Sequence, residues 1–120
     1  YGTSKKRVEK LLDKGYDILF DVDTRGAKNL KSLYPDAVFV FILPPSMNAL
    51  KERLGKRGSE KGKTLEMRIG KAMEEIRENK RYDYVIFNDR VECSVDVLKS
   101  IYVAEKHRRI RLNNRIVSFV

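Results

Sequence analysis

An α/β domain built on a parallel sheet is the fold class this sequence predicts, and three observations carry the prediction. Short apolar runs recur at Ile18–Phe20, Ala37–Leu43 and Tyr84–Phe87. Each is followed by a segment with helical spacing of apolar residues, bounded by capping and breaking residues. The runs are continuous rather than alternating, as in strands covered on both faces, which is the habit of parallel sheets with helical crossovers.

The elements follow in order. Thr3 or Ser4 caps a helix running to about Lys14, with Val8, Leu11 and Leu12 on one stripe and Gly15 as its stop. The next segment, Tyr16–Asp23, has an apolar centre at Ile18–Phe20 and closes on acids, the pattern of a buried strand. Thr24 to about Leu33 is a short helix stopped by Tyr34-Pro35-Asp36. Ala37–Leu43 is the strongest strand pattern in the chain; Pro44-Pro45 ends it and Ser46 caps a helix from about Met47 to Lys56. A polar, loop-like segment covers Gly58–Lys63, and a long helix runs from about Thr64 to Lys80. Tyr84–Phe87 is a third strand closed by Asn88-Asp89. A final helix starts near Ser94, carries Val95, Leu98, Ile101 and Tyr102 on one side, and fades into a basic tail. There is no internal repeat and no low-complexity linker.

Composition narrows the function classes. The 120 residues are enough for one domain with a modest core. No apolar run approaches the roughly 20 residues needed to cross a bilayer, and no signal-peptide pattern is visible. A lone Cys93 points to a reducing, cytoplasmic setting. With a lone His107 beside it, a multi-Cys/His zinc site is excluded. The net charge of +9, from 26 basic and 17 acidic residues, predicts an anionic partner such as a nucleotide, phosphate or nucleic acid. The chain opens on Tyr1 without an initiator Met, so a piece of a longer polypeptide is expected.

Gly58-Ser-Glu-Lys-Gly62-Lys63-Thr64 comes within one residue of the P-loop signature G-x-x-x-x-G-K-[ST]. A P-loop needs a strand before it and a helix after it, so that N–H groups at the new helix aim at phosphate. Here a helix precedes the loop, and the shortened ring of N–H groups would not close. What marks the segment instead is arginine. Arg53 and Arg57 lie four apart and share a helix face, and Arg68 starts the next helix. Two helices meeting at a loop can gather the three guanidiniums, whose planar forks match phosphate oxygens. In phosphoryl transfer such groups stabilise the charge on the equatorial oxygens. Solvated surface arginines are the plainer alternative.

Tyr1-Gly2-Thr3, Asp21-Val-Asp23-x-x-Gly26-Ala27 and Phe41-Ile-Leu-Pro-Pro-Ser46 are weak signals singly, as are Arg53-Leu54-x-x-Arg57-Gly58, Arg68 eleven residues past Arg57, and Tyr82-Asp-Tyr84 through Asn88-Asp89. In this order and at these spacings the chain resembles the C-terminal part of guanylate kinases over nearly all of residues 1–120, with a lid at about 53–68. The resemblance implies an incomplete three-layer, parallel-sheet P-loop nucleoside-monophosphate kinase fold. It implies Mg²⁺-dependent transfer of the γ-phosphate of ATP to GMP, giving ADP and GDP, in purine nucleotide metabolism. ATP and GMP are the implied partners, with no nucleic acid and no membrane.

The resemblance also assigns roles. Tyr1 corresponds to a residue that hydrogen-bonds the GMP phosphate, and Thr3 to one that reads the guanine edge. Asp23 resembles the carboxylate that accepts from guanine, whose N1–H and N2–H donors lie side by side. Asp21, at a strand end, resembles the acid near Mg²⁺ and the phosphates. Arg53, Arg57 and Arg68 resemble lid arginines that contact ATP phosphates and the transferring group, with Arg57 also against the adenine and Asn88 in a loop beside it. Read without the resemblance, Asp21 and Asp23 are equally ordinary turn acids, and Asn88 a strand-ending turn.

The chain departs from the family pattern in what it lacks. No P-loop and no upstream GMP-binding region with two arginines, a Glu and another Tyr are present in the 120 residues. The chain alone is therefore expected to be inactive, because the cradle and its Lys supply positioning and charge stabilisation. A sheet without its neighbouring strands exposes an edge and an apolar face, which invites aggregation, homo-oligomerisation or strand exchange. A binding module that has lost catalysis is the alternative function; such modules typically lose the ATP-side arginines, which this chain keeps. A small RNA binder rests on charge alone, without an RNP-type aromatic motif. The basic tail His107–Arg111 reads as a solvated helix end, with contact to RNA or an acidic partner as the other reading. Cys93, placed before a helix, is read as inert.

Overall fold

The computed structural model describes residues 4–56 and 64–120. These divide into two compact units, Tyr1–Val38 and Phe39–Val120.

The first unit is helical. Helix α1, Lys5–Asp13, begins after Ser4 at the N-cap position, and Val8 is its buried residue. Gly15, at φ 89°, follows its end, a left-handed conformation in which a Cβ would crowd the carbonyl that follows. Helix α2, Thr24–Leu33, is capped by Asp23, whose Oδ1 accepts from the Gly26 N–H at 2.8 Å. Ala27 is the buried residue of α2.

Between these helices the expected strand does not form. From Ile18 to Asp23 the side chains alternate between half-buried and exposed, the period of an extended chain. Yet a strand exists through its ladder bonds, and the sheet among the described residues has two strands, neither of them here. The local pattern is that of an extended chain, while the ladder among the described residues lies elsewhere.

The second unit holds that sheet. Strand β1, Val40–Leu43, pairs in parallel with β2, Tyr84–Phe87, in the register Val40↔Tyr84, Phe41↔Val85, Ile42↔Ile86 and Leu43↔Phe87. β1 is shorter than the apolar run predicts, since ladder pairing reaches only as far as its four-residue partner. Side-chain and loop bonds extend the match at both ends. The Asp83 carboxylate accepts from the Phe39 N–H at 2.8 Å, and Phe39 O accepts from the Asp83 and Tyr84 N–H groups. At the other end the Asn88 N–H donates to Leu43 O at 2.6 Å.

Parallel strands need a long crossover, and here it contains α3, Met47–Lys56, and α4, Leu65–Arg77. Ser46 caps α3 as predicted, its Oγ accepting from the Ala49 N–H at 3.1 Å. Thr64 caps α4 through the Met67 N–H at 3.2 Å. The long helix expected to reach Lys80 turns into a 3₁₀ turn over Glu78–Arg81, a common tightening of a helix end. Helix α5, Val91–Lys106, starts three residues before Ser94, so Cys93 lies inside its first turn, exposed, instead of preceding it. The tail folds as well: a 3₁₀ turn at Arg109–Leu112 leads into α6, Asn113–Val117.

The core of this unit is Phe39, Phe41, Leu50 and Ile86. Tyr82 meets Phe41 edge-on at 4.7 Å between ring centroids and Phe39 at 6.3 Å, geometries the ring quadrupoles favour.

Candidate functional site

In an open parallel sheet, the carboxyl ends of the strands are where loops can surround a ligand. In the second unit that end is marked by Leu43 and by Phe87-Asn88. Asn88 is held there at three points. Its N–H donates to Leu43 O, its carbonyl accepts from Arg53 Nη2 at 2.9 Å, and its Oδ1 accepts from Ser94 Oγ at 2.7 Å. The backbone of both strands, α3 and α5 therefore converge on one residue. Arg53 is exposed and sits in the last turn of α3, 35 residues away in sequence.

Arg68 lies in the first turn of α4 and is half-buried. Its Nη1 donates to Leu54 O at 2.8 Å. Leu54 belongs to the final four residues of α3, whose carbonyls have no acceptor role inside the helix. A cation there satisfies an orphan carbonyl and opposes the negative helix end. Arg68 thus joins α4 to the residue next to Arg53. Of the three arginines expected to gather, Arg53 bonds Asn88 O and Arg68 bonds Leu54 O, and Arg57 lies outside the described residues.

In the first unit, Asp21 and Asp23 are both exposed at the C-terminal end of the extended segment. One oxygen of Asp23 is engaged as the α2 cap. Gly26 explains the Asp-x-x-Gly spacing. A Cβ there would lie 3.0 Å from Val22 Cβ and 3.2 Å from Asp23 Oδ1, so a larger residue would press on the cap. Tyr1 and Thr3 lie outside the described residues. No helix in the described residues is long and apolar enough to cross a membrane.

Two side chains of the second unit go beyond the sequence reading: Ser94 at this site, and Glu105, bonded to Tyr84 at the start of β2. Ser94 was taken as a helix start, although its hydroxyl fixes Asn88. The pair is six residues apart across a strand-to-helix junction, a spacing without a local signature. Glu105 was not singled out, and it is the one buried charged residue among those described. Its Oε2 accepts from Tyr84 Oη at 2.5 Å, with Arg108 Nη1 at 3.4 Å; Arg111 Nη2 lies 3.7 Å from Oε1. The Tyr84 hydrogen bond, helped by the two arginines, holds the Glu105 carboxyl below its ordinary pKa. The same bond pushes the Tyr84 phenol up. The basic tail is therefore anchored in part by an internal carboxylate and is not a fully solvated helix end.

A family model described as guanylate kinase matches residues 1–105. The chain belongs to the guanylate kinase family. It is 44% identical over 117 residues to the guanylate kinase of Carboxydothermus hydrogenoformans, covering 98% of this chain and 57% of the relative. It is 47% identical over 116 residues to that of Syntrophus aciditrophicus, covering 97% and 56%. To the Clostridium acetobutylicum guanylate kinase it is 45% identical over 117 residues, covering 98% and 56%. The chain thus spans little more than half the length of the guanylate kinases it matches. Membership agrees with the α/β architecture and parallel pair described above.

The Mg²⁺ ion that the resemblance leads us to expect would be carried by nucleotide. Magnesium prefers hard oxygen ligands, keeps several waters and takes one or two carboxylates beside substrate phosphates. Asp21, an exposed carboxylate ending an extended segment, has the donor chemistry for that arrangement. The described residues contain no group of three His, Cys, Asp or Glu side chains forming a cage of their own.

Proposed function

We propose that the guanylate kinase polypeptide to which these residues belong transfers the γ-phosphate of ATP to GMP, giving ADP and GDP, with Mg²⁺ accompanying the ATP. The observation that carries this reading is the convergence of Arg53, Asn88 and both strand ends in a chain of this family.

In this reading Asn88 lies beside the adenine with Arg57. Arg53, Arg57 and Arg68 supply guanidiniums to the phosphates, stabilising charge that grows on the transferring group. Tyr1 and Thr3 hold the phosphate and the base edge of GMP, and Asp23 accepts from the guanine N–H groups. Asp21 is the residue that would hold the metal, which when bound neutralises charge shared by the phosphates. The acceptor phosphate of GMP attacks the γ-phosphorus in line, and the β–γ bridging bond breaks toward ADP. The excess of positive charge attracts both anionic nucleotides.

The 120 residues contain no G-x-x-x-x-G-K-[ST] cradle, so we propose that they do not catalyse this reaction by themselves. GMP-dependent formation of ADP tests both statements. The natural polypeptide is expected to be active and the 120-residue chain silent. Arg57→Ala in the natural polypeptide is expected to lower kcat by about a hundredfold or more, in keeping with arginines that act on the transferring group. Near-normal turnover would remove Arg57 from the mechanism. Binding of a protein partner with no phosphoryl transfer by the natural polypeptide would replace the enzyme with a recognition module.

A further inference from the structure

Asn88 is a short side chain on a loop, and an amide can present either its acceptor or its donor end. We propose that Ser94 is a positioning residue for ATP: its hydroxyl takes up Oδ1 of Asn88 and so commits the amide to offering its Nδ2 donor to a ring-nitrogen acceptor of the adenine. This rests on the reading above that Asn88 lies beside that base.

The geometry argues for orientation rather than general packing. Ser94 Oγ reaches Oδ1 at 2.7 Å, a normal length for a hydroxyl donor. The backbone of the same residue is already fixed from two other directions, by Leu43 O and by Arg53 Nη2. With N–H, carbonyl and Oδ1 each assigned a partner, the amide NH₂ is what Asn88 has left to offer a ligand. Ser94 itself sits in the first turns of α5, where its N–H donates to Arg90 O, so the hydroxyl is carried on a regular helix rather than on a mobile loop. A hydroxyl that only capped the helix would accept from a backbone N–H; this one donates to a side chain.

The test is steady-state kinetics of the natural polypeptide with ATP and GMP varied separately. Ser94→Ala frees the amide to rotate and is expected to raise KM for ATP about three- to tenfold, the scale of one hydrogen bond. KM for GMP and kcat at saturating ATP should stay within about twofold, since uniform binding of one substrate is what is lost. Ser94→Thr keeps the hydroxyl and should restore KM for ATP. Asn88→Asp retains the acceptor for Ser94 but replaces the donor end with an acceptor, and should raise KM for ATP more than Ser94→Ala does. If Asn88→Asp raises KM for ATP and Ser94→Ala leaves it unchanged, the positioning role of Ser94 is wrong while Asn88 keeps its place. If neither variant moves KM for ATP, Asn88 is not beside the base and both readings fall. Equal loss for ATP and GMP in Ser94→Ala, without rescue by Thr, would make Ser94 a structural residue and overturn the proposal.

Discussion

Glu105 shows how much one side chain can organise. It takes the Tyr84 hydroxyl from β2 and two arginines from the turn that follows α5. Its pKa is lowered on folding, so its contribution is present in full above the ordinary glutamate value of 4.5 and is lost as pH falls through the lower folded value. Tyr84→Phe removes the largest cause of that shift. Its acid unfolding limb is therefore expected to move to higher pH, followed by circular dichroism across about pH 5 to pH 3. Glu105→Gln is expected to flatten the same limb and to cost on the order of 1–3 kcal/mol at neutral pH, because Arg108 and Arg111 lose a charged acceptor. An unchanged acid limb in both variants would mean that the cluster does not couple protonation to folding.

At the scale of elements, the helix pair α3–α4 depends on its ends. Arg68 closes the C-terminal turn of α3 from the start of α4. Arg68→Ala is expected to destabilise the natural polypeptide by about 1–2 kcal/mol, the range for a hydrogen bond to a charged donor with partial exposure. Amide exchange should speed up around the last turn of α3 while β1 and β2 stay protected. A variant that lost activity with unaltered exchange would assign Arg68 wholly to the nucleotide. The α2 start gives a second case. Alanine is normally a better helix former than glycine by about 1 kcal/mol, yet Gly26→Ala is expected to lower Tm. The added methyl meets Val22 Cβ at 3.0 Å and the capping Asp23 Oδ1 at 3.2 Å, and that oxygen is already tied to the Gly26 N–H. A raised Tm would mean that the Asp23 cap yields without loss.

For the whole molecule, the described residues bury few side chains and leave large apolar ones on the surface. Leu19 is 82% exposed, Phe87 64% and Ile42 57%. Ile42 and Phe87 lie on the two strands, so the sheet carries uncovered apolar surface. Patches of this kind promote association. The 120-residue chain alone is expected to show a concentration-dependent mass by light scattering, against the opposing effect of its +9 charge. A monomer that binds no hydrophobic dye across a wide concentration range would contradict this. This chain covers 57% and 56% of the first two matched guanylate kinases, and the activity proposed above is that of a polypeptide of their full length.

What the sequence determined by itself was local. Pro44-Pro45-Ser46 stops one element and caps the next, so α3 falls at Met47–Lys56 as read. Tyr84–Phe87 is bounded by polar turn residues and is found at those residues. Both follow from preferences of a few adjacent residues. The family, too, was legible in the order and spacing of short motifs. Pairing was left to the tertiary structure. Ile18–Phe20 has the side chains of a strand and the period of an extended chain, but a strand also needs a ladder, and the two-stranded sheet among the described residues lies at Val40–Leu43 and Tyr84–Phe87. Arg53 on Asn88, Arg68 on Leu54, Ser94 on Oδ1 and Tyr84 on Glu105 are likewise decided by which elements meet. Hydrogen bonds act over about 3 Å, and residues far apart in the chain come that close only after the fold has formed.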